Sequence, residues 1–478
     1  MNGPPPQVPP NRKTHRFKVV VLIFVGLIAL YFVYRYTLSR SIQTRIDAIH
    51  RAGFPATCAE LDKWYVQPPP GENAATVYGE AFAHFQMWTN ESDRLPPPSD
   101  AKDRPARFTP HLKRDLLPIV GMAKLPPGTK PLPPEMQKLI TEYLAANSES
   151  LQLLHRAGLM KSSRYPVDFK NGVMTLFPHL KRIRQAARLL ELEVIQYTDR
   201  QQAEPAIESV SAIFGVSQSL SQEPSVISYD ASVACDDLAV GGLERCINEM
   251  VLTDVQLANL AVVISEVERR KAFTCAFVGE RCTHVDFLEG LRTGRIPATN
   301  MNDDDPVPVR VFMTVYSLTG LLQLDERTYL DEMERYIEAT KLPSPENIIA
   351  FRTLDEQMQH LAPWHFLLRM MVPVLDYTLN KSAACDAKMR DARSALAIER
   401  YRLANGKLPG QLTDLVPAFL PSVPTDPFDG KPLRYKTLAK GYVVYSVGED
   451  REDNGGTEKN SKGISYVPGT DITFTVER

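Results

Sequence analysis

Cysteine is scarce and unpatterned in this chain. The six residues at 58, 235, 246, 275, 282 and 385 include no CxxC pair and are too few for a disulfide-built scaffold. Neither sign of charge dominates: a formal net charge of -2 and a pI near 6.5 give no electrostatic footprint for nucleic acid, so no nucleic-acid partner is expected. The sequence holds no GxSxG, no HExxH, no P-loop and no GxGxxG ahead of a helix, which removes the usual local signatures of hydrolases, zinc proteases and nucleotide binders. Long apolar runs are lacking with one exception, and strand signals are sparse between residue 41 and about 380.

The exception is Val19 to Tyr34, VVVLIFVGLIALYFVY, which approaches about 20 residues if Tyr36 to Leu38 are counted and Arg35 snorkels. No small-x-small cleavage site follows it, and Tyr31, Phe32, Tyr34 and Tyr36 form an interfacial aromatic belt, so residues 19–38 read as an uncleaved transmembrane helix. Residues 1–18 are proline-rich, then basic, and read as a disordered tail. Arg12, Lys13, Arg16 and Lys18 are nearly matched by Arg35, Arg40, Arg45 and Arg51. The charge rule alone leaves the orientation open; the tail's lack of acidic residues, together with the resemblance described below, assigns the tail to the cytoplasm and the bulk of the chain to the far side of a cell inner membrane crossed once.

At 478 residues there is material for two or three cores. Residues 41–380 read as one mainly α-helical extracytoplasmic domain, an irregular bundle or solenoid. Met136, Leu139, Ile140, Tyr143, Leu144, Leu151 and Leu154 predict one helix after Pro133-Pro134. Leu180 to Tyr197 and Ile207 to Leu220 predict two more, and Thr253-Asp254 opens a fourth through Leu257, Leu260, Ile264 and Val267. The fixed positions of a tetratricopeptide are missing.

Residues 381–478 have a different order of elements. Cys385, Met389, Ala392, Leu396 and Leu403 form one helical face and Ala397, Ile398 and Tyr401 a second, so the helix is buried on two sides until Asn405-Gly406 ends it. A proline-rich loop follows, tied to a core through Leu412, Leu415, Val416, Phe419, Leu420 and Val423. Short β-rich runs at Leu433 to Thr437 and Tyr442 to Val447 come next, with Ile464 to Val467 and Ile472 to Val476 later, predicting a small antiparallel sheet.

The sequence YRLANGKLP, then LxxLVPAFLPxVPxDPFDGKPLRY, then YxVYSVGEDxxDxGG and a late TDI resembles the C-terminal domain of the major pseudopilin of type II secretion systems. The resemblance covers roughly the last fifth of the chain. It implies a small α+β domain with a calcium site on acidic side chains, placed here at Asp450, Asp453 and Asp471, and a link to secretion-like machinery. The basic leader and peptidase site that begin a pseudopilin are missing. The whole chain also resembles uncharacterised membrane-anchored bacterial proteins with a helical middle domain. Independently of resemblance, SVGEDREDNGGTEKNSKG offers hard oxygen ligands and turning glycines suited to calcium.

Other clusters read as structural. His360 and His365 are five apart with Pro363 between them, off the spacing that puts two imidazoles on one helical face, and Glu356 lies a turn earlier; the pair is assigned to a core or interface. Asp303 to Asp305 read as a solvated loop and Cys235-Asp236-Asp237 as a helix flank. Cys275 and Cys282 are spaced either to bridge across a tight turn or to lie as two buried thiols. The functional expectation is a membrane-anchored binding or scaffold protein with unidentified protein partners. The alternative is an extracytoplasmic hydrolase whose site is assembled from dispersed residues of the helical domain.

Overall fold

A computed structural model describes residues 12–86, 117–121, 123–126, 130–270, 273–296, 307–371, 375–457 and 470–478. Residues 1–11 of the expected tail, Asp303 to Asp305 and the run Ile464 to Val467 lie outside the described residues. The described chain is mainly helical, with one small three-stranded sheet near its C-terminal end.

Helix α1 spans Arg12–Arg51 without a break. Helix therefore begins inside the segment expected to be a tail, because no proline or glycine separates Arg12 from the apolar run. Its stretch from Phe17 onward is long and apolar enough to cross a membrane, with the apolar window wholly unburied. Leu38, Ile42 and Ile49, spaced by four and seven, are instead buried against the body. One helix thus serves as apolar rod and as structural element.

The body is built of helices: α2 (Cys58–Trp64), α3 (Ala74–His84), α4 (Pro134–Ala146), α5 (Ser148–Gly158), α6 (His179–Asp199), α7 (Ala203–Gln218), α8 (Val226–Glu249), α9 (Asp254–Arg270), α10 (Phe273–Thr293), α11 (Val307–Leu318), α12 (Leu321–Thr340), α13 (Glu346–Gln359) and α14 (Phe366–Met371). The helix expected across 136–154 is two, α4 and α5. Asn147 interrupts it at φ -107°, ψ 16°, where its buried side chain accepts from Gln86 N at 2.9 Å and donates to Tyr143 O at 3.0 Å. The apolar period continues through the break, which is why periodicity alone joined them. The N-cap expected at Thr253 is present: its Oγ1 accepts from Gln256 N at 3.3 Å, and Gln256 Oε1 accepts from Thr253 N at 3.0 Å.

Helices α6, α7 and α8 pack together, α5 lies on α7, and α8 also meets α10 and the long α15 (Leu375–Asn405). The α5–α7 contact is close enough that a Cβ on Gly215 would stand 2.5 Å from Gly158 Cα. Cys235-Asp236-Asp237 is mid-helix in α8, not at its flank; Asp236 is buried and Asp237 meets Lys388 of α15 at 3.4 Å. Cys275 and Cys282 lie two turns apart on α10, about 10 Å along its axis, too far for a bridge. All six cysteines are buried and none is in a disulfide.

Helix α15 runs across the boundary expected at 380/381 and ends at Asn405, with Gly406 at φ +69°. Both predicted faces are buried at Cys385, Met389, Ala392, Leu396, Ala397 and Ile398, while Leu403 is 46% exposed because the core ends before the last turn. Val416 is exposed as well, so the loop is held by Leu412, Leu415 and Leu420. Strands β1 (Arg434–Thr437), β2 (Tyr442–Ser446) and β3 (Ile472–Val476) form an antiparallel meander, Tyr435 facing Val444 and Val444 facing Phe474. The free edge of β3 is covered by α8. Thr475 N donates to Glu244 Oε1 at 2.7 Å, Asn248 Nδ2 donates to Thr475 O at 2.8 Å, and Glu477 N donates to Asn248 Oδ1 at 2.8 Å. This satisfies an edge that would otherwise template further strand pairing. Arg478 donates to Met250 O at 2.7 Å and to Glu399 at 2.6 Å, fastening the chain end to the body.

Candidate functional site

The turn after β2 brings two of the three sequence-predicted acids together. Asp471 is buried at the start of β3, and its two oxygens accept from Asn454 N at 3.3 Å and Gly456 N at 2.7 Å. Asp453 Oδ1 accepts from Gly455 N at 2.9 Å and from the Tyr445 hydroxyl at 3.1 Å. Burial pushes the Asp471 carboxyl above its usual range, backbone N–H groups pull it back, and the charge of Asp453 pushes it up again. Asp450 stands apart from this arrangement: it is exposed and accepts from Glu452 N at 3.1 Å in a local turn. Among the described residues no three His, Cys, Asp or Glu side chains are arranged to hold a metal ion. The turn is held closed by N–H donors on Asp453 and Asp471, and these two alone fall short of the six to eight oxygens that calcium takes.

A second constellation lies in the helical body and was not visible in the sequence. A cleft of about 500 Å³ is lined by Gln67, Asn73, Thr76, Arg164, Tyr165 and His179. Asn73 caps α3 by accepting from Ala75 N at 3.1 Å, and it also accepts from Arg164 N at 2.9 Å and donates to Arg164 O at 2.9 Å. It thereby ties the 162–166 segment to α3. The Arg164 guanidinium is spent on Asp62, at 2.9 and 3.0 Å, and on Tyr65 O, and it lies over the Tyr65 ring.

Behind this wall sits Glu223, buried in the turn between α7 and α8. It accepts from Ser228 Oγ at 2.5 Å and Tyr65 Oη at 3.4 Å and meets His179 Nε2 at 3.0 Å. The His179 ring is stacked flat on Tyr165, centroids 4.2 Å apart, and the Tyr165 hydroxyl meets Ser219 Oγ at 2.8 Å. Burial, reinforced by the Glu223 charge, raises the Tyr65 phenol far above its usual range. Glu223 ties His179, Ser228 and Tyr65 together, while Arg164 fastens its own segment to Asp62 and Tyr65. Ser228 donates to the carboxylate and not to the imidazole, so the three do not form a nucleophile–base–acid relay.

His360 and His365 are not brought together. His360 is exposed at the end of α13, whereas His365 Nδ1 meets buried Asp325 Oδ1 at 2.7 Å. The other Asp325 oxygen accepts from Leu367 N, Leu368 N and the Tyr316 hydroxyl at 3.1, 3.2 and 2.6 Å, capping α14 across from α12. His365 thus has the packing role expected of the pair. Glu223 precedes a proline and Asp325 sits mid-helix, and no local pattern marks either; their partners lie up to 158 residues away.

Comparison with protein-family models, with curated proteins and with solved structures returns no match for this chain.

Proposed function

We propose that this chain is a single-pass bacterial inner-membrane protein, its N-terminal tail in the cytoplasm and its helical body and pseudopilin-like C-terminal module outside, acting as a binding or scaffold protein linked to type II secretion-like machinery. One observation carries the reading. Helix α1 is wholly exposed through its apolar half and then continues, unbroken, into the packed body. Arg45 grips Asp331 of α12 through two hydrogen bonds of 2.5 and 2.8 Å, and Gln323 Nε2 donates to Ser39 Oγ at 2.8 Å. A rod coupled this way holds the body at a fixed attitude to the bilayer, which suits a platform for partners. The short helix-loop-sheet order of the last hundred residues supports the pseudopilin-like part, and Asp453 with Asp471 at one turn supports a calcium clamp once further oxygens join them. The test is protease added to intact spheroplasts: digestion of the body with a protected N-terminal epitope is expected, and full protection until lysis reverses the orientation.

The cleft favours a second reading, a hydrolase site around His179. His179 Nε2 is engaged by Glu223 and the Arg164 guanidinium by Asp62 and Tyr65, which is the pattern of a structural buried network. Esterase and peptidase panels on wild type and His179→Gln separate the two: turnover lost in the variant would establish the enzyme reading.

A further inference from the structure

The outer faces of α11 and α14 are largely apolar, with Thr314 and Arg369 as exposed polar residues among the apolar ones. Helix α11 buries Met313 and Tyr316 and turns Phe312, Val315 and Leu318 outward at 44, 53 and 62% exposure. Beside it Trp364, Phe366 and Met370 are 55, 41 and 59% exposed. The two short helices form one surface: Phe312 meets Phe366 edge to face at 5.2 Å, and the Tyr316 hydroxyl accepts from Phe366 N at 3.1 Å. Scattered exposed apolar residues need no cause, but a contiguous patch marks an interaction site.

Its place along α1 identifies the occupant. The Tyr31 hydroxyl donates to Leu318 O at 2.5 Å, and Arg35 Nη1 donates to Ser317 O at 2.6 Å and Leu318 O at 3.2 Å. Gly320, at φ +86°, lies against Tyr34, Arg35 and Leu38, where a Cβ would stand 3.0 Å from the Tyr34 ring. From Phe17 to Tyr36 the helix rises about 29 Å, the thickness of a bilayer's hydrocarbon core, so Arg35 falls at its outer margin and Tyr31 about one turn further in. The end of α11 is therefore hydrogen-bonded to the anchor at interfacial depth. Tryptophan and tyrosine beside a snorkelling arginine are the residue types that this layer favours.

We propose that α11 and α14 form a second membrane contact, their shared apolar face seated in the lipid interface next to the transmembrane helix. The body then rests on the bilayer at two points, and its rotation about α1 is blocked. This rests on the reading of α1 as a membrane span, and the experiment separates the two claims.

The full chain is reconstituted into phosphatidylcholine–phosphatidylglycerol vesicles carrying lipids brominated at shallow or deep acyl positions. Trp364 emission is taken as the difference between wild type and Trp364→Phe, and a Phe24→Trp variant reports on the span. Shallow bromines should quench Trp364 roughly twofold and deep bromines less, with the reverse order for Phe24→Trp. Val315→Asp with Leu318→Asp, both on exposed positions, should abolish Trp364 quenching and leave the Phe24→Trp signal unchanged. Deep quenching of Phe24→Trp with Trp364 unquenched overturns the second contact and leaves the anchor standing, and a crosslink from Trp364 to a protein would then name the true occupant. An unquenched Phe24→Trp overturns the anchor and this inference with it.

Discussion

Asp391 is the buried carboxyl with the most testable consequence. It lies on the inner face of α15, fully buried, and neither of its oxygens has a hydrogen-bond partner among the described residues. Burial pushes its pKa well above the ordinary value, and the nearby Asp426 and Glu244 push it further. Asp426, by contrast, accepts from Phe428 N, Ser446 Oγ, Val447 N and Arg434 Nη1 at 2.7 to 2.9 Å. Replacing Asp391 by alanine removes an unsatisfied buried group, a gain of about 1–3 kcal/mol. Helix propensity adds up to about 0.7 kcal/mol, and the small void left behind subtracts about 1 kcal/mol. Asp391→Ala should therefore stabilise the protein by up to about 2.7 kcal/mol at pH 8. The sign of the pH dependence follows from the raised folded pKa: the proton-linked stability of wild type is complete below the unfolded pKa near 4 and is lost as pH rises through the folded value. The advantage of the variant should accordingly shrink toward pH 4.5, changing by at most about 1.4 kcal/mol per pH unit. Urea unfolding of the full chain in detergent, followed by far-UV circular dichroism at both pH values, measures this. A variant less stable than wild type at pH 8 would mean that Asp391 is charged and compensated, and would refute the reasoning.

Three further outcomes are expected. Gly215→Ala should destabilise by about 1–3 kcal/mol, since its Cβ meets the Gly158 backbone, whereas Gly241→Ala, with nothing within 4 Å, should gain up to about 1 kcal/mol; thermal shifts of the same sign would contradict the α5–α7 packing. Glu223→Ala strips the shared acceptor from His179, Ser228 and Tyr65 and should cost about 3–5 kcal/mol in urea unfolding; a loss under 1 kcal/mol would make that network incidental. Asp471→Ala should cost about 1–3 kcal/mol and Asp450→Ala less than about 0.5 kcal/mol, and calcium-dependent unfolding lost in Asp450→Ala would place Asp450 in a metal site that its present turn does not form.

How much of this was legible follows from where each residue's partners lie. Thr253 and Gln256 are three apart, and their reciprocal capping bonds could be read directly from the sequence. The end of α15 at Asn405-Gly406 and the strand β3 were equally local. The division of 136–158 into two helices was not, because the residue that decides it, Asn147, acts on Gln86, and α4 and α5 share one apolar rhythm. Leu403 and Val416 fit their apolar patterns yet face outward, since a pattern states which residues can be buried and only the neighbouring element decides which are. Asp325, Glu223 and Asp391 were invisible for the same reason: a buried acid is defined by what surrounds it.

The same distinction explains why the apolar exterior of α11 escaped a reading by periodicity. In VPVRVFMTVYSL apolar residues occur on both faces, and Met313 and Tyr316, which turn inward, differ little in character from Val315 and Leu318, which turn outward. Its polar residues Arg310, Thr314 and Ser317 are too few to form a broad polar side, a pattern that in a soluble body points to extensive burial. Here it is covered on one side only, and its far end is bonded to Tyr31 and Arg35 of the apolar rod. On the proposed second membrane contact, a mostly apolar helix that is half covered by protein and fastened to a membrane-length helix has its remaining face accounted for by lipid.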